Sequence, residues 1–592
     1  MWRFTAAGVV LLTGALAASG PVGQAPASKL SRDWKRFSAV GLEVIGNARE
    51  GDLRTAARNI AGFRTTLQIL MPGLRLSAPE PTTLVVFRDH PSFTEFAPRD
   101  RRGKRQLNIG GYFSDAPDRK YLVLPVFGDR RVTYETVFHE YTHYVVSRNF
   151  RDVPLWLSEG LAEFYSTFEL DDEGRATVGK VPSSRVWTLS TERLRPLRAL
   201  LGAESGSRQF GSTDAGLFYA QSWLFVHFMT LSDGGKRQGQ IVRYLELLTE
   251  TKSVEAAARE AFGTTLEALD RELPRYIEDF RLRGLRVSGV NAQMPTIDIT
   301  PATEADVAET KARLLMELNV PSEAKRYITQ ALELDPAHTS GRITRARLSS
   351  SEGRPSDAAL ELDKICREQP QNFSAQYYLG RALYEDGRYS EAISAFDRAV
   401  KLLPEASTPW LQLSLAALAL GQYEQSDSAM AQLQQLYSTP KWHYLRSYEA
   451  VKLGRFDAVL PDVKTFIDRA GTADETAPYA AFLGVIAARR LDRDAEATEL
   501  LSRITPALPA RSWPLTVAEY MQGHFTPAAF LSKADNNGQE TEARTYIAFS
   551  LVDAGQRDEA KKHLQWVKDK GDRNYTEYDL AVAELKRLEA TQ

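Results

Sequence analysis

Two histidines and a glutamate in the stretch His139-Glu140-Tyr141-Thr142-His143 have the residue types and the spacing of a catalytic metal motif. Residues four apart on a helix lie about 40° from each other, so both imidazoles would project from one face. A single Zn²⁺ accepts two ring nitrogens from one helix at this spacing. Glu140, beside the first histidine, could reach a metal-bound water and act as the general base.

A pair of acidic residues follows in a second motif, Pro154-Leu-Trp-Leu-Ser-Glu159-Gly-Leu-Ala-Glu163. Pro154 suits the first turn of a helix. Carboxylates on the buried side of an apolar helix are costly unless they are paired or bind a metal. A second helix antiparallel to the first would bring Glu159 to the metal as the third ligand. Glu163, one turn later, could accept the free N–H of a ligand histidine. A solvent-exposed face is the alternative for both glutamates.

The segment from Tyr134 to Val146 must position the first motif, and it is predicted to be one helix. Its apolar body consists of Val137, Phe138, Tyr141, Tyr144 and Val145. The chain has only eight histidines in 592 residues, so this pentapeptide would arise by chance in roughly one such chain in a hundred. The alternative is an ordinary helix with two polar histidines and one surface glutamate.

Together, His139-Glu-x-x-His143 and Trp156-Leu-Ser-Glu159-Gly-Leu-Ala-Glu163 resemble the gluzincin metallopeptidases, in particular the bacterial peptidase-MA-like domains. The second segment is also similar to the W-L-x-E-G segment of the aminopeptidase clan. The resemblance implies that His139, His143 and Glu159 bind zinc and that Glu140 is the catalytic base. It covers roughly residues 34–283, and it is weak outside the two predicted helices.

A third segment contributes one more candidate site residue, Tyr219, near the start of a predicted apolar helix. In the gluzincins, a tyrosine in a Y-x-x-G/S pattern faces the zinc and stabilises the oxyanion. Tyr219 matches this pattern, with Ser222 at the position where the aminopeptidases have glycine. A phenol O–H is a suitable donor to developing negative charge. The alternative is a tyrosine packed in the core, and His227 on the same helix is predicted to be a packed histidine.

Upstream of the motif, residues 31–70 are predicted to be a helix, and three short strands follow at 82–87, 112–113 and 121–126. In the gluzincins an edge strand binds the substrate backbone, and residues 108–112 could supply that edge by β-augmentation. Their two glycines fit a plain turn equally well. No glutamate lies between Leu107 and Phe113, where the aminopeptidases bind the substrate's amino group. Strict aminopeptidase activity is therefore not expected.

The C-terminal half repeats with a period of thirty-four residues, as Ala324, Ala358 and Ala392 illustrate. Pro336, Pro370 and Pro404 repeat at the same spacing. Small residues and prolines at this period are the signature of tetratricopeptide (TPR) repeats. We expect seven or eight helix pairs and a capping helix near Lys586. Such a solenoid offers a concave surface for a protein partner, and a purely structural spacer is the alternative.

The first residues predict export. Trp2-Arg3 precedes an apolar run from Phe4 to Leu16 and then small residues, which is the pattern of a secretory signal. The run is too short for a membrane span by itself, although an uncleaved anchor remains an alternative. We expect a periplasmic or secreted protein.

The composition is that of an ordinary globular protein, with 43% hydrophobic residues and a net charge of −2. Nothing in this charge balance favours nucleic acid or bulk membrane as a partner. The single cysteine, Cys366, excludes an intramolecular disulfide and a thiolate zinc site. Cys366 is predicted to be a core residue.

These observations predict an α+β zincin-like catalytic domain followed by an all-α TPR superhelical solenoid. The predicted boundaries are a signal peptide and flexible start at 1–28, the gluzincin-like domain at 29–284, a linker at 285–302 and the repeats at 303–592. The predicted function is an exported zinc metallopeptidase with Zn²⁺ as cofactor and a peptide or protein substrate. A non-catalytic TPR adaptor and a zinc hydrolase of a cell-wall amide are the alternatives.

Overall fold

The structure is a computed structural model that describes residues 29–590, except for 77–78, 100–102, 107–108, 127–129, 151–152, 184, 203–211, 252–253, 279–281, 291–297, 438 and 473. The predicted signal peptide lies outside the described residues. In the described part of the chain, no helix is both long enough and apolar enough to cross a membrane.

The N-terminal region contains a six-stranded mixed sheet and a small three-stranded antiparallel sheet. In chain order the strands are β1 (Leu30–Ala39), β2 (Leu42–Gly46), β3 (Thr82–Phe87), β4 (Tyr112–Ala116), β5 (Arg119–Pro125), β6 (Glu169–Leu170), β7 (Ala176–Val178), β8 (Leu285–Val287) and β9 (Thr300–Thr303). The large sheet has the order β4-β5-β3-β2-β1-β9, in which β5, β3 and β2 are parallel, and the small one has the order β6-β7-β8.

Ten helices accompany these strands in the described residues of this region. They are α1 (Glu50–Leu70), α2 (His90–Thr94), α3 (Arg130–Asn149), α4 (Leu155–Ser166), α5 (Val186–Thr191), α6 (Leu197–Leu201), α7 (Ser212–Leu231), α8 (Gln238–Thr251), α9 (Val254–Phe262) and α10 (Leu266–Glu278).

The prediction of a helix over residues 31–70 is wrong in its first half. Strands β1 and β2 form a hairpin there, and only α1 is helical. Ala39 of β1 pairs with Leu42 of β2, and the two turn residues between them, Val40 and Gly41, have φ angles of 44° and 73°. Two residues with positive φ are typical of a tight hairpin turn. The linker predicted at 285–302 also contains short strands, because β8 pairs with β7 and β9 pairs with β1.

Each face of the large sheet contributes to a different hydrophobic core. On one face, alternate residues such as Leu84, Val86 and Leu122 pack with buried residues of α1 and α3. On the other face, Val85 and Val123 pack with residues of the first helices of the C-terminal half. The sheet is therefore buried on both sides, and the second side is covered by the solenoid.

In the described residues, the C-terminal half forms eight consecutive helix pairs and a final helix, within the seven or eight pairs that the repeat period predicts. The helices are α11 (Glu304–Glu317), α12 (Pro321–Leu334), α13 (Thr339–Ser351), α14 (Pro355–Glu368), α15 (Phe373–Glu385), α16 (Tyr389–Leu402), α17 (Ser407–Ala419), α18 (Tyr423–Leu436), α19 (Lys441–Leu453), α20 (Val459–Ala470), α21 (Ala477–Arg490), α22 (Asp494–Ile504), α23 (Trp513–Met521), α24 (Pro527–Leu531), α25 (Asn537–Asp553), α26 (Arg557–Lys570) and α27 (Thr576–Ala590).

The last helix of the solenoid returns to α19, four pairs earlier in the chain. Arg587 Nη2 donates hydrogen bonds to the carbonyl oxygens of Val451 and Lys452, at 3.1 and 2.9 Å. The hydroxyl of Tyr448 lies 3.4 Å from the carbonyl oxygen of Thr576. The two ends of the segment from α19 to α27 are therefore in contact with each other.

A buried ion pair joins the solenoid to the turn between β4 and β5. Arg313 of α11 donates from Nη2 to both carboxylate oxygens of Asp118, each at 2.7 Å, and the Tyr378 hydroxyl of α15 donates to the same carboxylate at 2.9 Å. Burial alone would raise the pKa of Asp118, but the adjacent Arg313 guanidinium lowers it below its usual range. The turn is thus fixed by two different repeats.

Helices α4 and α7 cross closely at Gly160. A Cβ atom at this position would lie 2.6 Å from the carbonyl oxygen of Ser222 and 2.6 Å from a methyl carbon of Val226. Only glycine permits this approach without a shift of one helix. The crossing sets the distance between the segment that carries Glu159 and the helix that carries Tyr219.

Replacing Arg313 with methionine would leave Asp118 buried without its cation. We expect Arg313→Met to lower the free energy of unfolding by about 3–5 kcal/mol at pH 7, measured by thermal and denaturant unfolding. Because burial raises the pKa of a carboxyl group that has lost its main cation, the variant's Asp118 would take up a proton at a higher pH than the native Asp118, and the deficit relative to the native protein should shrink as the pH falls. Arg326→Met removes an exposed pair with Glu95 and should cost less than about 1 kcal/mol. Equal effects of the two substitutions would contradict the assignment.

Replacing Gly160 with alanine would push α4 and α7 apart. We expect Gly160→Ala to lower the free energy of unfolding by about 1–3 kcal/mol through overpacking. Gly216 of α7 is the matched control, because a Cβ there would meet nothing within 4 Å. Gly216→Ala should therefore leave stability unchanged or raise it by up to about 1 kcal/mol. A Gly160→Ala variant as stable as Gly216→Ala would show that the crossing is loose.

Candidate metal centre

Helix α3 places the first motif at the edge of the N-terminal core. Its apolar residues Val137, Phe138, Tyr141, Tyr144 and Val145 are all buried, as predicted. The ring of Phe138 stacks on Phe63 of α1 with a centroid distance of 4.4 Å. This packing fixes the helix rotation, so that His139 and His143 are half-buried and Glu140 is exposed.

Helix α4 runs antiparallel to α3, as the pairing of side chains demonstrates. Ser158 Oγ lies 3.0 Å from Nδ1 of His143, whereas Glu163 Oε1 lies 3.7 Å from Nδ1 of His139. Increasing residue numbers on α4 therefore meet decreasing numbers on α3. The apolar residues Trp156, Leu157 and Phe164 of α4 are buried, and this leaves Glu159 directed toward the two histidines.

Three potential ligand atoms meet at one point. Nε2 of His139 and Nε2 of His143 are 3.1 Å apart, and Oε2 of Glu159 lies 3.4 and 3.2 Å from them. Ligand atoms at about 2.0–2.1 Å from a tetrahedral Zn²⁺ are roughly 3.3–3.4 Å from one another. Among the described residues, this is the one group of three His, Cys, Asp or Glu side chains whose ligand atoms are this close together.

The two histidines keep Glu159 ionised. Glu159 Oε2 is buried and lies 3.4 and 3.2 Å from Nε2 of His139 and His143. Burial would raise the pKa of Glu159, but the two adjacent imidazoles lower it to about 2. Burial would also lower the pKa of His139, yet the neighbouring Glu159 and Glu163 raise it overall. An ionised carboxylate facing two imidazoles is a suitable donor set for a divalent cation.

Glu163 has a partner that sequence reasoning missed. Arg185, just before α5, donates from Nη2 and Nε to the Glu163 carboxylate at 2.7 and 3.2 Å. The contact between Glu163 and His139 is longer than a hydrogen bond. An isolated arginine in a loop has no spacing pattern, so the sequence contains no signal for this contact. Ser158, which contacts His143, was missed for the same reason.

Tyr219 of α7 faces the same space as the three candidate ligands. The guanidinium carbon of Arg185 lies 5.0 Å from the centroid of its ring. Burial and then the charge of Glu159 raise the pKa of the Tyr219 phenol to about 12. Its hydroxyl therefore keeps its proton at neutral pH and remains a hydrogen-bond donor.

An open cavity of about 510 Å³ adjoins the candidate metal centre. Its walls come from α3, α4 and the segment before α5, and include His139, Glu163 and Arg185 together with Glu135, Thr136, Ser166, Pro182 and Ser183. The cavity is large enough for one or two amino-acid side chains, and most of its lining is polar in residue type.

Gly111, just before β4, lies directly beside α3. A Cβ atom at Gly111 would be 2.7 Å from the carbonyl oxygen of Val123 in β5 and 3.0 Å from a methyl carbon of Val137 in α3. Strand β4 is at the end of the large sheet and pairs on one side with β5. Residue 108 of the predicted edge (108–112) lies outside the described residues.

His227 and Cys366 are both packed in the protein interior. His227 is buried, its Nδ1 lies 2.8 Å from the hydroxyl of Tyr276, and burial lowers its pKa to about 4. Cys366 is buried in the solenoid core. Both match the prediction of packed side chains.

Comparison with protein families separates the two halves of the chain. Residues 305–338 and 343–407 match tetratricopeptide repeat families. Residues 132–255, which contain His139, Glu140, His143, Glu159, Glu163 and Tyr219, match a family described as a protein of unknown function, DUF1570. No curated protein matches the chain.

The solved structures that resemble the chain include several repeat proteins. Pseudomonas aeruginosa pilF is 20% identical, over 38% of this chain and 98% of its own, with a TM-score of 0.28. A tetratricopeptide repeat protein from Parabacteroides merdae is 9% identical, over 48% and 99%, with a TM-score of 0.33. Yeast Tom70 is 16% identical, over 78% and 82%, with a TM-score of 0.29. The family matches identify tetratricopeptide repeats within residues 305–407, and the helix pairs extend them into a TPR-like helical solenoid.

Proposed function

We propose that the N-terminal region is a zinc-dependent metallopeptidase and that the TPR array binds a protein partner or substrate. The convergence of His139, His143 and Glu159 carries this proposal, because their three ligand atoms are spaced 3.1–3.4 Å apart. The secretory-signal pattern of the first residues supports action outside the cytoplasm, in the periplasm or after secretion.

In the proposed reaction, Zn²⁺ held by His139, His143 and Glu159 would activate water and polarise the scissile carbonyl. Glu140 is exposed on the same helix as both histidines, which leaves its carboxylate accessible to substrate. Glu140 would accept a proton from the attacking water and deliver it to the leaving amine. Glu163, with Arg185, would fix the orientation of the His139 ring.

Tyr219 is the proposed donor to the oxyanion. Its phenol keeps its proton because its pKa is about 12, and the charges of Glu159, Glu163 and Glu140 all act on it. A neutral hydroxyl in this place can donate a hydrogen bond to negative charge that develops on the substrate oxygen.

The edge of the sheet favours a peptide as the substrate. Strand β4 is the end strand of the sheet, and the Gly111 backbone lies against α3. An extended peptide could pair with this edge and pass in front of the metal helix. The absence of a glutamate between Leu107 and Phe113 favours cleavage within a chain over removal of N-terminal residues.

A TPR adaptor without turnover is the second candidate function. The tetratricopeptide matches support it, since such arrays commonly bind other proteins. A zinc hydrolase of a cell-wall amide is a further alternative with the same ligands. Incubation of the metal-loaded protein with unfolded proteins and with peptidoglycan separates the three, because only the adaptor would leave both substrates intact.

Replacing Glu140 with glutamine should separate metal binding from chemistry. We expect Glu140→Gln to retain one zinc per chain by elemental analysis and to lose at least about 100-fold in the rate of casein hydrolysis. His143→Ala should instead lose the zinc, since only two ligands remain. Hydrolysis by Glu140→Gln at the native rate would refute the mechanism, and a native protein without zinc would refute the metal centre.

Replacing Tyr219 with phenylalanine should remove one donor to the oxyanion and preserve the ring packing. We expect kcat to fall by about 10²–10³-fold, with a much smaller change in KM. Zinc content and thermal stability should match those of the native protein. If KM rose and kcat stayed constant, Tyr219 would bind the ground state of the substrate rather than the oxyanion.

A further inference from the structure

A second cavity, of about 260 Å³, adjoins the cavity beside the candidate metal centre. The two cavities share Glu135 of α3 and Ser166 of α4 as walls, and His139 lines the first of them. Glu135 precedes His139 by four residues, or about 6 Å along the helix axis. A substrate bound at the metal would therefore have a residue close to the boundary between the two cavities.

Aromatic rings form the apolar part of the second cavity. Tyr134 and Phe138 of α3 line it and stack on each other with a centroid distance of 5.7 Å. Phe168, which follows α4, also lines it, and its ring meets that of Phe138 edge-on at a centroid distance of 5.1 Å. Phe138 and Phe168 are buried, and Tyr134 is half-buried. Such a lining suits the apolar stem of a long side chain, and aromatic faces attract cations.

The polar lining of the second cavity is rich in hydrogen-bond acceptors. The Ser166 hydroxyl donates to the carbonyl oxygen of Glu163 at 2.8 Å, and the Thr167 hydroxyl donates to that of Phe164 at 3.1 Å. Because both protons are already used, these two hydroxyl oxygens can act toward a ligand only as acceptors. Asn59 of α1 also lines the cavity and has an amide oxygen to offer. The lining therefore suits a ligand that donates hydrogen bonds.

The charge of this lining is negative. Among the described residues that line the second cavity there are two carboxylates, Glu135 and Glu169, and no lysine or arginine. Glu169 is exposed and pairs with Lys180, whereas Glu135 is half-buried and accepts a hydrogen bond from the Ser183 hydroxyl at 2.9 Å. A carboxylate has about four acceptor sites, so Glu135 can also accept from a ligand. The cavity lies at the C-terminal end of α4, where the helix dipole favours a cation.

We propose that the second cavity is a specificity subsite that binds an arginine or lysine side chain of the substrate, with Glu135 as its anionic residue. A cationic side chain only donates hydrogen bonds, which matches a lining of acceptors, and its stem would lie along the rings. An apolar side chain would instead remove water from Glu135 without replacing its hydrogen bonds. The proposal rests on the proposed peptidase function and names its substrate class. An extended chain advances about 3.3 Å per residue, so the basic residue would lie within roughly two positions of the cleaved bond.

The test compares matched peptides that the zinc-loaded full chain hydrolyses. Mass spectrometry of casein fragments first locates the position near the cleaved bonds at which basic residues recur. Peptides with arginine, citrulline or norleucine at that position are then compared, because citrulline keeps the shape of arginine and removes its charge. We expect kcat/KM for the arginine peptide to exceed that for each of the other two at least about tenfold.

Variants of the chain test the role of Glu135. Glu135→Gln keeps an acceptor for Ser183 and removes the charge, so the ratio of kcat/KM between the arginine and citrulline peptides should fall close to one. Glu135→Lys should reverse the preference, so that a peptide with glutamate at this position is cleaved faster than the arginine peptide. The matched control is Glu173→Gln, which removes an exposed carboxylate that pairs with Arg175 and should retain the native ratio. A merely structural role of Glu135 would instead lower the rates for all peptides alike.

A binding measurement without turnover separates this proposal from the peptidase proposal. Glu140→Gln incubated with zinc and titrated by calorimetry should bind a capped peptide with one central arginine at least about tenfold more tightly than its citrulline analogue. Adding Glu135→Gln to this variant should abolish the difference. Binding with this preference, but no hydrolysis by the native protein, would support the subsite and refute the peptidase. Hydrolysis without a recurring basic residue, no preference for the arginine peptide in binding, or an unchanged ratio in Glu135→Gln would overturn the subsite.

Discussion

The large sheet must be buried on both faces, and this requirement determines the organisation of the chain. Strands β5, β3 and β2 are parallel and almost entirely buried, and such strands are normally covered on both sides. Helices α1 and α3 cover one face, and the first repeat of the solenoid covers the other. The TPR array is therefore part of the core of the N-terminal region as well as a separate binding element. The Asp118–Arg313 pair also orients the solenoid on the sheet. Arg313 Nη2 donates to both oxygens of Asp118, and such charge-assisted hydrogen bonds fix the relative position of the two elements.

The candidate metal centre depends on that burial. Helix α3 has a fixed rotation because one of its faces packs on the sheet and on α1, and its two histidines therefore point away from the core. Helix α4 is fixed in turn by its crossing with α7 at Gly160, which sets the position of Glu159. The side chains that could bind a metal thus belong to rigid helices, whereas Arg185 comes from a connecting segment. The helices thus fix the positions of the candidate ligands, and the segment before α5 completes the cavity wall.

The sequence was informative where chemistry or repetition imposes a spacing. The i,i+4 pairs in α3 and α4 predicted which side chains would meet, and the structure brings His139, His143 and Glu159 together. The thirty-four-residue period predicted the helix pairs of the repeats. The β1–β2 hairpin is not predicted, because its basic and apolar residues also fit a helical period. The one local sign of a turn is Gly41, which follows Val40 at the tip of the hairpin. The contacts of Arg185 with Glu163 and of Arg313 with Asp118 join residues far apart in the chain. Only the tertiary structure reveals such contacts.

The return of α27 to α19 has a consequence for how the solenoid unfolds. An open array of repeats contacts only its neighbours, so its ends fray and its units melt in sequence. Here Arg587 donates to the carbonyl oxygens at the end of α19, and the units between these helices are enclosed in a ring of contacts. Fraying from the C-terminus would have to break this closure first. The last four units should therefore melt as a single cooperative block with a slow opening rate, whereas the units before them lie outside this closure.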